Sequence, residues 1–198
     1  RQTKYNTPTA FWDMSLHDGV LELPASPSTA VANEVALNPD GVSKPTGSEL
    51  EISFYETVNI GGGQYAHNPW LQEMPDPVTR TVWGNYLRIP VEWDGVNEIN
   101  GWKGLNDGDN VEVEINGQKL TCTVVRTFGQ PAGTVAIALG GGRQNGGCGV
   151  GYGVDVNPVL TVEGGMIQYF AGNVKVSDKV GVDKHFPSVQ YHHTMGVQ

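Results

Sequence analysis

The chain has 198 residues, of which 38% are apolar, with 27 glycines, 12 prolines and a formal net charge of −9. This length fits one domain, or one domain with an irregular arm, and the composition favours strands and turns over a helical bundle. The acidic balance argues against nucleic acid as a partner, because counterion release needs clustered lysine and arginine. No apolar run reaches the roughly 18 to 20 residues of a spanning helix, so we expect no direct membrane insertion.

Residues 1–47 are interrupted by five prolines and show no regular period. They predict an irregular N-terminal arm, or the tail of a preceding unit. One short helix is expected from Ser28 or Thr29 to Leu37, begun by a hydroxyl cap and ended by a following Asn-Pro pair. The first residue, Arg1, is neither a methionine nor part of an apolar signal core, so we expect an internal cut with any targeting segment outside this sequence.

Residues 49–58 alternate between apolar and polar side chains, which predicts a strand. Its apolar face is expected to hold Leu50, Ile52, Phe54 and Val58. Residues 85–93 predict a second strand, and further strands are expected near 159–163, 166–170 and 173–177.

The clearest local prediction is a β-hairpin. Val111, Val113 and Ile115 share one face of a strand, and Asn116-Gly117 follows as a two-residue turn before a return strand near 119–127. After Pro131, residues 134–139 alternate again, with only alanines on the second face. That pattern predicts a strand against which something packs closely.

A loop rich in glycine follows, and glycine permits positive φ or the close approach of a partner. This loop has two interpretations: it cradles a pyrophosphate through its backbone N–H groups, or it forms a barrel corner or partner-facing surface. The negative charge of Asp155 and of the whole chain favours the second. A dinucleotide-binding Rossmann motif is excluded, because no GxGxxG follows a strand and opens a helix.

Several motifs occur in a fixed order: NPWLQE at 68–73, GLNDGD at 104–109, VEV at 111–113, PAGTV at 131–135 and DVNP at 155–158. This order resembles the C-terminal molybdopterin dinucleotide-binding domain of the dimethyl sulfoxide reductase family, although Asp155 stands where the family has asparagine. The resemblance implies a mainly β fold with few short helices, a six-stranded double-psi β-barrel of the aspartate decarboxylase-like kind. The barrel would span 48–178, and 179–198 would extend towards a next domain. If a pterin nucleotide binds, the implied contacts are Gly140, Gly141, Gly142, Arg143 and Asn157.

A narrower resemblance rests on NPWLQEMPDPVTR at 68–80 with Trp83 and Asn85-Tyr86, on GVGYG at 149–153 and on HHTMG at 192–196. These segments are similar to the molybdopterin-like part of the iron-sulfur subunit of alternative complex III, a bacterial respiratory quinol oxidoreductase. The implied partners are other subunits of a membrane-bound complex and an adjoining ferredoxin-like domain that holds iron-sulfur clusters. The implied place is peripheral, on the periplasmic side of the inner membrane.

For the other candidate sites, a structural role is a better explanation than a functional one. Cys122 and Cys148 are expected to be two buried thiols, with a disulfide as the alternative. His185, His192 and His193 suggest a metal site, but a solvated tail or subunit contact is favoured. Asp107 and Asp109 are interpreted as a turn rather than an acid pair. The tryptophans are expected in the core, with a docking surface as the alternative; these are Trp70, Trp83, Trp93 and Trp102.

These patterns predict no catalytic residue and no metal ligand in this chain. The first functional hypothesis is a non-catalytic scaffold domain in a respiratory quinol oxidoreductase, without a cofactor of its own. The alternative is a domain that covers a genuine molybdenum bis-pterin guanine dinucleotide cofactor. A free-standing double-psi binding module is a third possibility.

Overall fold

A computed structural model describes residues 6–20, 50–93 and 99–189. The chain forms two compact units, Arg1–Val42 and Ser43–Gln198. In the first unit, helix α1 (Pro8–Asp18) begins after Thr7, whose side chain accepts a hydrogen bond from the Ala10 N–H, and ends at Gly19 with φ of 66°. This helix lies in the arm predicted to be irregular, whereas the helix predicted at 28–37 falls outside the described residues.

The second unit is mainly β, as the sequence predicts, with a short helix α2 (Pro69–Gln72) and one-turn 3₁₀ helices at Trp102–Gly104 and Asn157–Val159. Its described strands are β1 (Glu51–Tyr55), β2 (Leu87–Trp93), β3 (Ile99–Gly101), β4 (Asp109–Ile115), β5 (Gln118–Thr127), β6 (Thr134–Ala138), β7 (Val162–Glu163), β8 (Met166–Ile167), β9 (Phe170–Ala171), β10 (Lys175–Val176) and β11 (Gly181–Val182).

Nine of these strands form one curled, mixed sheet, a half-barrel. Their order is β10-β4-β5-β2-β6-β1-β9, with β11 beside β4 and β3 beside β2. The pairs β1–β6 and β2–β5 are parallel, and the other pairs are antiparallel. Strands β7 and β8 form a separate hairpin. Part of the predicted C-terminal extension therefore belongs to the sheet, through β11.

The predicted hairpin is confirmed. Val111, Val113 and Ile115 on β4 are buried, and β4 pairs in an antiparallel register with β5. Asn116 and Gly117 have φ of 51° and 77°, the positive values that a type I′ turn requires. The hairpin presents its apolar face to the core, which is lined mainly by branched aliphatic side chains of the half-barrel.

The inner faces of β1 and β6 also follow the prediction, since Ile52, Phe54 and Ile137 are buried. The prediction for Val58 was wrong: its side chain is 72% exposed, because β1 ends at Tyr55 and the chain turns back, with Thr57 bridged to Gly61. The later strands exist but are only two residues long.

One ion pair connects the segment that follows β10 with the first residue of β4. Lys179 Nζ lies 2.7 Å from a carboxylate oxygen of Asp109, and the second oxygen accepts the Asn106 N–H. Burial alone raises the pKa of Asp109, but the hydrogen bonds from Lys179 and Asn106 and the charges of Lys179 and Arg126 outweigh it. The pKa of Asp109 therefore lies below its ordinary value of 3.8.

Because this folded-state pKa is lowered, Asp109 stabilises the fold above the pKa of the unfolded chain, and that contribution is lost as the pH falls through the folded value. We expect Asp109→Asn to lower the free energy of unfolding at pH 7 by about 1 kcal/mol, since Lys179 is half-exposed. In urea titrations, the difference from wild type should shrink below about pH 4. Glu112→Gln, in the exposed Lys119 pair, is the control and should change stability by less than about 0.5 kcal/mol. A pH-independent difference would contradict the assignment.

Candidate functional site

A groove with a volume of about 360 Å³ lies where the chain leaves β6. We call it the glycine groove. Its lining residues are Gly62, Gly63, Gln64, Gly140, Gly141, Gly142, Arg143, Asp155 and Asn157. The structure thus brings the five predicted cofactor contacts, Gly140, Gly141, Gly142, Arg143 and Asn157, to one place.

The floor of the groove is made by two chain segments that touch through their backbones. A Cβ built on Gly140 would lie 2.6 Å from the Gly63 nitrogen, and one built on Gly63 would lie 2.9 Å from the Gly140 Cα. Real side chains do not tolerate such distances, so both positions need glycine for internal packing.

The loop after Gly140 closes on itself. The Gly142 N–H donates to the Tyr152 carbonyl at 2.8 Å, and the Gly151 N–H donates to the Arg143 carbonyl at 3.0 Å. At the far end, the Cys148 thiol donates to the His67 carbonyl at 3.2 Å. These bonds order a segment whose glycines would otherwise make it costly to fix.

A buried asparagine, Asn85, for which the sequence predicted no structural role, joins the two ends of this loop. The Asn85 side-chain nitrogen donates to the carbonyls of Ala138, at 2.6 Å, and Val154, at 3.0 Å. Its side-chain oxygen accepts the Val154 N–H at 2.7 Å. Both Gly141 and Gly153 leave room for this side chain, since a Cβ at either position would overlap it. Asn85 thereby fixes the two ends of the glycine-rich loop, which contributes to the groove.

Several polar groups of the groove are engaged within the protein. Arg143 donates to the Gly63 carbonyl at 3.0 Å. One carboxylate oxygen of Asp155 accepts both the backbone N–H and the side-chain amide of Asn157, at 3.0 and 2.7 Å. The N–H groups of Gly63 and Gly142 donate to backbone carbonyls. The formal charges of Arg143 and Asp155 cancel.

These contacts and charges disfavour the pyrophosphate of a pterin dinucleotide. Such an anion needs several free N–H donors and an excess of positive charge. Here the amides of Gly63 and Gly142 are bound elsewhere, and the Asn157 amide is held by Asp155. Asp155 also places a negative charge on the groove wall, where an anion would meet it.

Two other pairs of residues were considered as sites, the aspartates Asp107 and Asp109 and the two cysteines. Asp107 accepts the backbone N–H of Arg126 at 2.7 Å and its guanidinium at 3.1 Å, whereas Asp109 binds Lys179. The two carboxylates therefore bind different partners, as residues of a turn that leads into β4. Both cysteines are free. Cys122 is buried, which raises its pKa to about 12, but Cys148 is partly exposed and so departs from the expected buried thiol.

The histidines and tryptophans divide between several places. His185 is exposed, and His192 and His193 lie outside the described residues. Within the ranges 6–20, 50–93 and 99–189, no three His, Cys, Asp or Glu side chains come close enough to hold a metal ion. Trp102 packs against the core, but Trp70 on α2 is 82% exposed, so the core prediction was wrong for that residue.

A scan against models of known protein families finds no match to this chain, and a search of curated proteins finds none with significant similarity. In the part of the chain that the structure describes, no helix has the length and apolar character needed to cross a bilayer.

Proposed function

We propose that this chain is a non-catalytic scaffold domain with a six-stranded double-psi barrel fold, part of an iron-sulfur subunit in a respiratory quinol oxidoreductase. The observation that carries the proposal is the chemistry of the glycine groove. Within the groove, the amides of Gly63 and Gly142 and the side chain of Asn157 bind the protein itself, and the charge of Arg143 is balanced by Asp155.

A scaffold also needs surfaces for its neighbours. Several large apolar side chains are exposed in the second unit, including Trp70 at 82%, Met166 at 70% and Phe128 at 51%. Exposed aromatic and methionine side chains are enriched in protein interfaces. The proposed neighbours are a ferredoxin-like segment with cysteine-bound iron-sulfur clusters and the membrane subunits of the complex, on the periplasmic side of the bacterial inner membrane.

A second candidate is a domain that covers a real molybdenum bis-pterin guanine dinucleotide. It is favoured by one observation, that all five residues implied by the resemblance line the same open groove. In that case Arg143 and Asn157 would turn from their present partners towards the cofactor.

Metal and pterin analysis of the full-length protein from its native source separates the two candidates. We expect iron and acid-labile sulfide from the neighbouring segment, with molybdenum and extractable pterin far below one per chain. Stoichiometric molybdenum with pterin would refute the scaffold proposal.

A matched pair of variants sharpens this test. Arg143→Met removes the groove cation, and Lys184→Met removes an exposed cation outside the groove. A scaffold should give complexes with equal subunit content and equal quinol oxidation for both variants. A cofactor site should lose molybdenum and pterin in Arg143→Met alone.

A further inference from the structure

A second, larger cleft lies in the same unit and plays no part in the proposed scaffold function. Its volume is about 620 Å³, within the range of about 300–1,000 Å³ that ligand sites occupy. Its lining residues are Trp83, Asn85, Tyr86, Thr123, Gly151, Tyr152, Gly153, Val154, Asp183, His185 and Pro187. We call it the aromatic cleft.

One wall of the aromatic cleft consists of two rings in contact. The ring centres of Trp83 and Tyr152 are 4.9 Å apart, and Tyr152 is 46% exposed. Trp83 has φ of 52°, a conformation that costs energy for a residue other than glycine. The Tyr86 hydroxyl, which donates towards the Val82 and Trp83 carbonyls, holds this strained turn.

The aromatic cleft is also lined by a carboxylate, that of Asp183, which is held by backbone hydrogen bonds. The Asp183 N–H donates to the Gly108 carbonyl at 2.7 Å, and one carboxylate oxygen accepts the His185 N–H at 2.8 Å. The other oxygen lies 3.5 Å from the Thr123 hydroxyl, which makes a shorter bond to Asn110. Among the described residues, Asp183 forms no ion pair with lysine or arginine.

We infer that the aromatic cleft binds a guanidinium group on an aliphatic stem, as in an arginine side chain. The faces of Trp83 and Tyr152 attract a cation through their ring quadrupoles, and a planar guanidinium stacks on them while pairing with a carboxylate. Asp183 supplies that carboxylate, and it forms no ion pair with lysine or arginine in the part of the chain that the structure describes. The chain's charge of −9 also favours a cationic ligand.

The test is an NMR titration of the purified chain with Nα-acetyl-arginine N-methylamide, compared with the matching citrulline compound, which has the same shape but no charge. We expect the arginine probe to shift the Trp83 indole and the Tyr152 and Asp183 amides, and the citrulline probe to leave them unchanged. The exposed Trp70 indole serves as the internal control. Equal shifts with both probes would overturn the inference.

Variants locate the binding groups. Asp183→Asn keeps an acceptor for the His185 N–H and should lower the affinity for the arginine probe roughly tenfold. Tyr152→Leu should lower that affinity about threefold. The controls are Asp178→Asn and Tyr65→Leu, both exposed and outside the cleft, and neither should alter binding. Unchanged binding in Asp183→Asn, with the variant shown to be folded by its spectrum, would contradict the inference.

A further titration identifies the source of the guanidinium group. A five-residue peptide with one central arginine is titrated beside the single-residue probe. Tighter binding of the peptide indicates a segment of a partner protein, and equal binding indicates a free guanidinium compound. If a neutral sugar shifts the same resonances and the arginine probe does not, the guanidinium assignment is wrong.

Discussion

Replacing Asn85 with alanine is expected to lower the free energy of unfolding by about 3 kcal/mol, since it leaves the Val154 N–H and two carbonyls without their partner and opens a cavity. Asn85 is only 4% exposed, so water reaches these groups poorly. Urea unfolding at pH 7 measures the loss. Hydrogen exchange of the Val154 amide should speed up more than that of amides in β4 and β5.

The control is Asn145→Ala, in the same glycine-rich loop but exposed. It should change stability by less than about 0.5 kcal/mol. A loss below about 1 kcal/mol in Asn85→Ala would indicate that water replaces the side-chain amide and that the loop does not depend on it.

Features set by neighbouring residues could be predicted from the sequence. The hairpin of β4 and β5 follows from alternation and from a turn that only residues such as Asn116 and Gly117 accept, and both signals lie within a few residues. The alternation in β6 likewise predicted which side chains face the core. Helix α1 was missed although Thr7, Pro8 and Gly19 are typical cap residues, because the prolines that follow suggested an irregular arm.

Features set by distant residues could not be predicted in the same way. Asn85 binds Val154 across 69 positions, and nothing local distinguishes it from an ordinary polar residue at the start of a strand. The same holds for the contact between Trp83 and Tyr152 and for Asp183, which only the sheet topology brings to one cleft. Parallel pairing of β1 with β6 also joins distant segments, and no turn signal records it.

The glycine groove could be predicted only in part, because it depends on both neighbouring and distant residues. Five of its lining residues were expected together from the family resemblance, and they do line one groove. What the sequence could not reveal is that Gly63 joins them from an earlier segment and that the Gly142 amide and the Asn157 side chain are bound within the protein. A glycine-rich loop is compatible with both ligand approach and chain packing, and only the contacts distinguish them.

Gly142→Ala is the most direct test of that distinction, and we expect it to lower the free energy of unfolding by about 3 kcal/mol. Gly142 has φ of 72°, and a Cβ there would overlap the Asp155 amide nitrogen. The matched control is Gly151→Ala. Gly151 has φ of 83°, but a Cβ there meets nothing within 4 Å, so only the backbone conformation opposes the change. It should cost about 1 kcal/mol.

The difference between these two variants, measured by urea unfolding of the ligand-free chain, isolates the close approach of Gly142 to Asp155. A difference of about 2 kcal/mol means that Gly142 is needed for the fold itself, as the scaffold proposal expects. If the two variants are equally stable, the segment carrying Asp155 can move away from Gly142 at little cost. Asp155 would then be able to release Asn157 and open the groove, and the cofactor-covering function would become the better explanation.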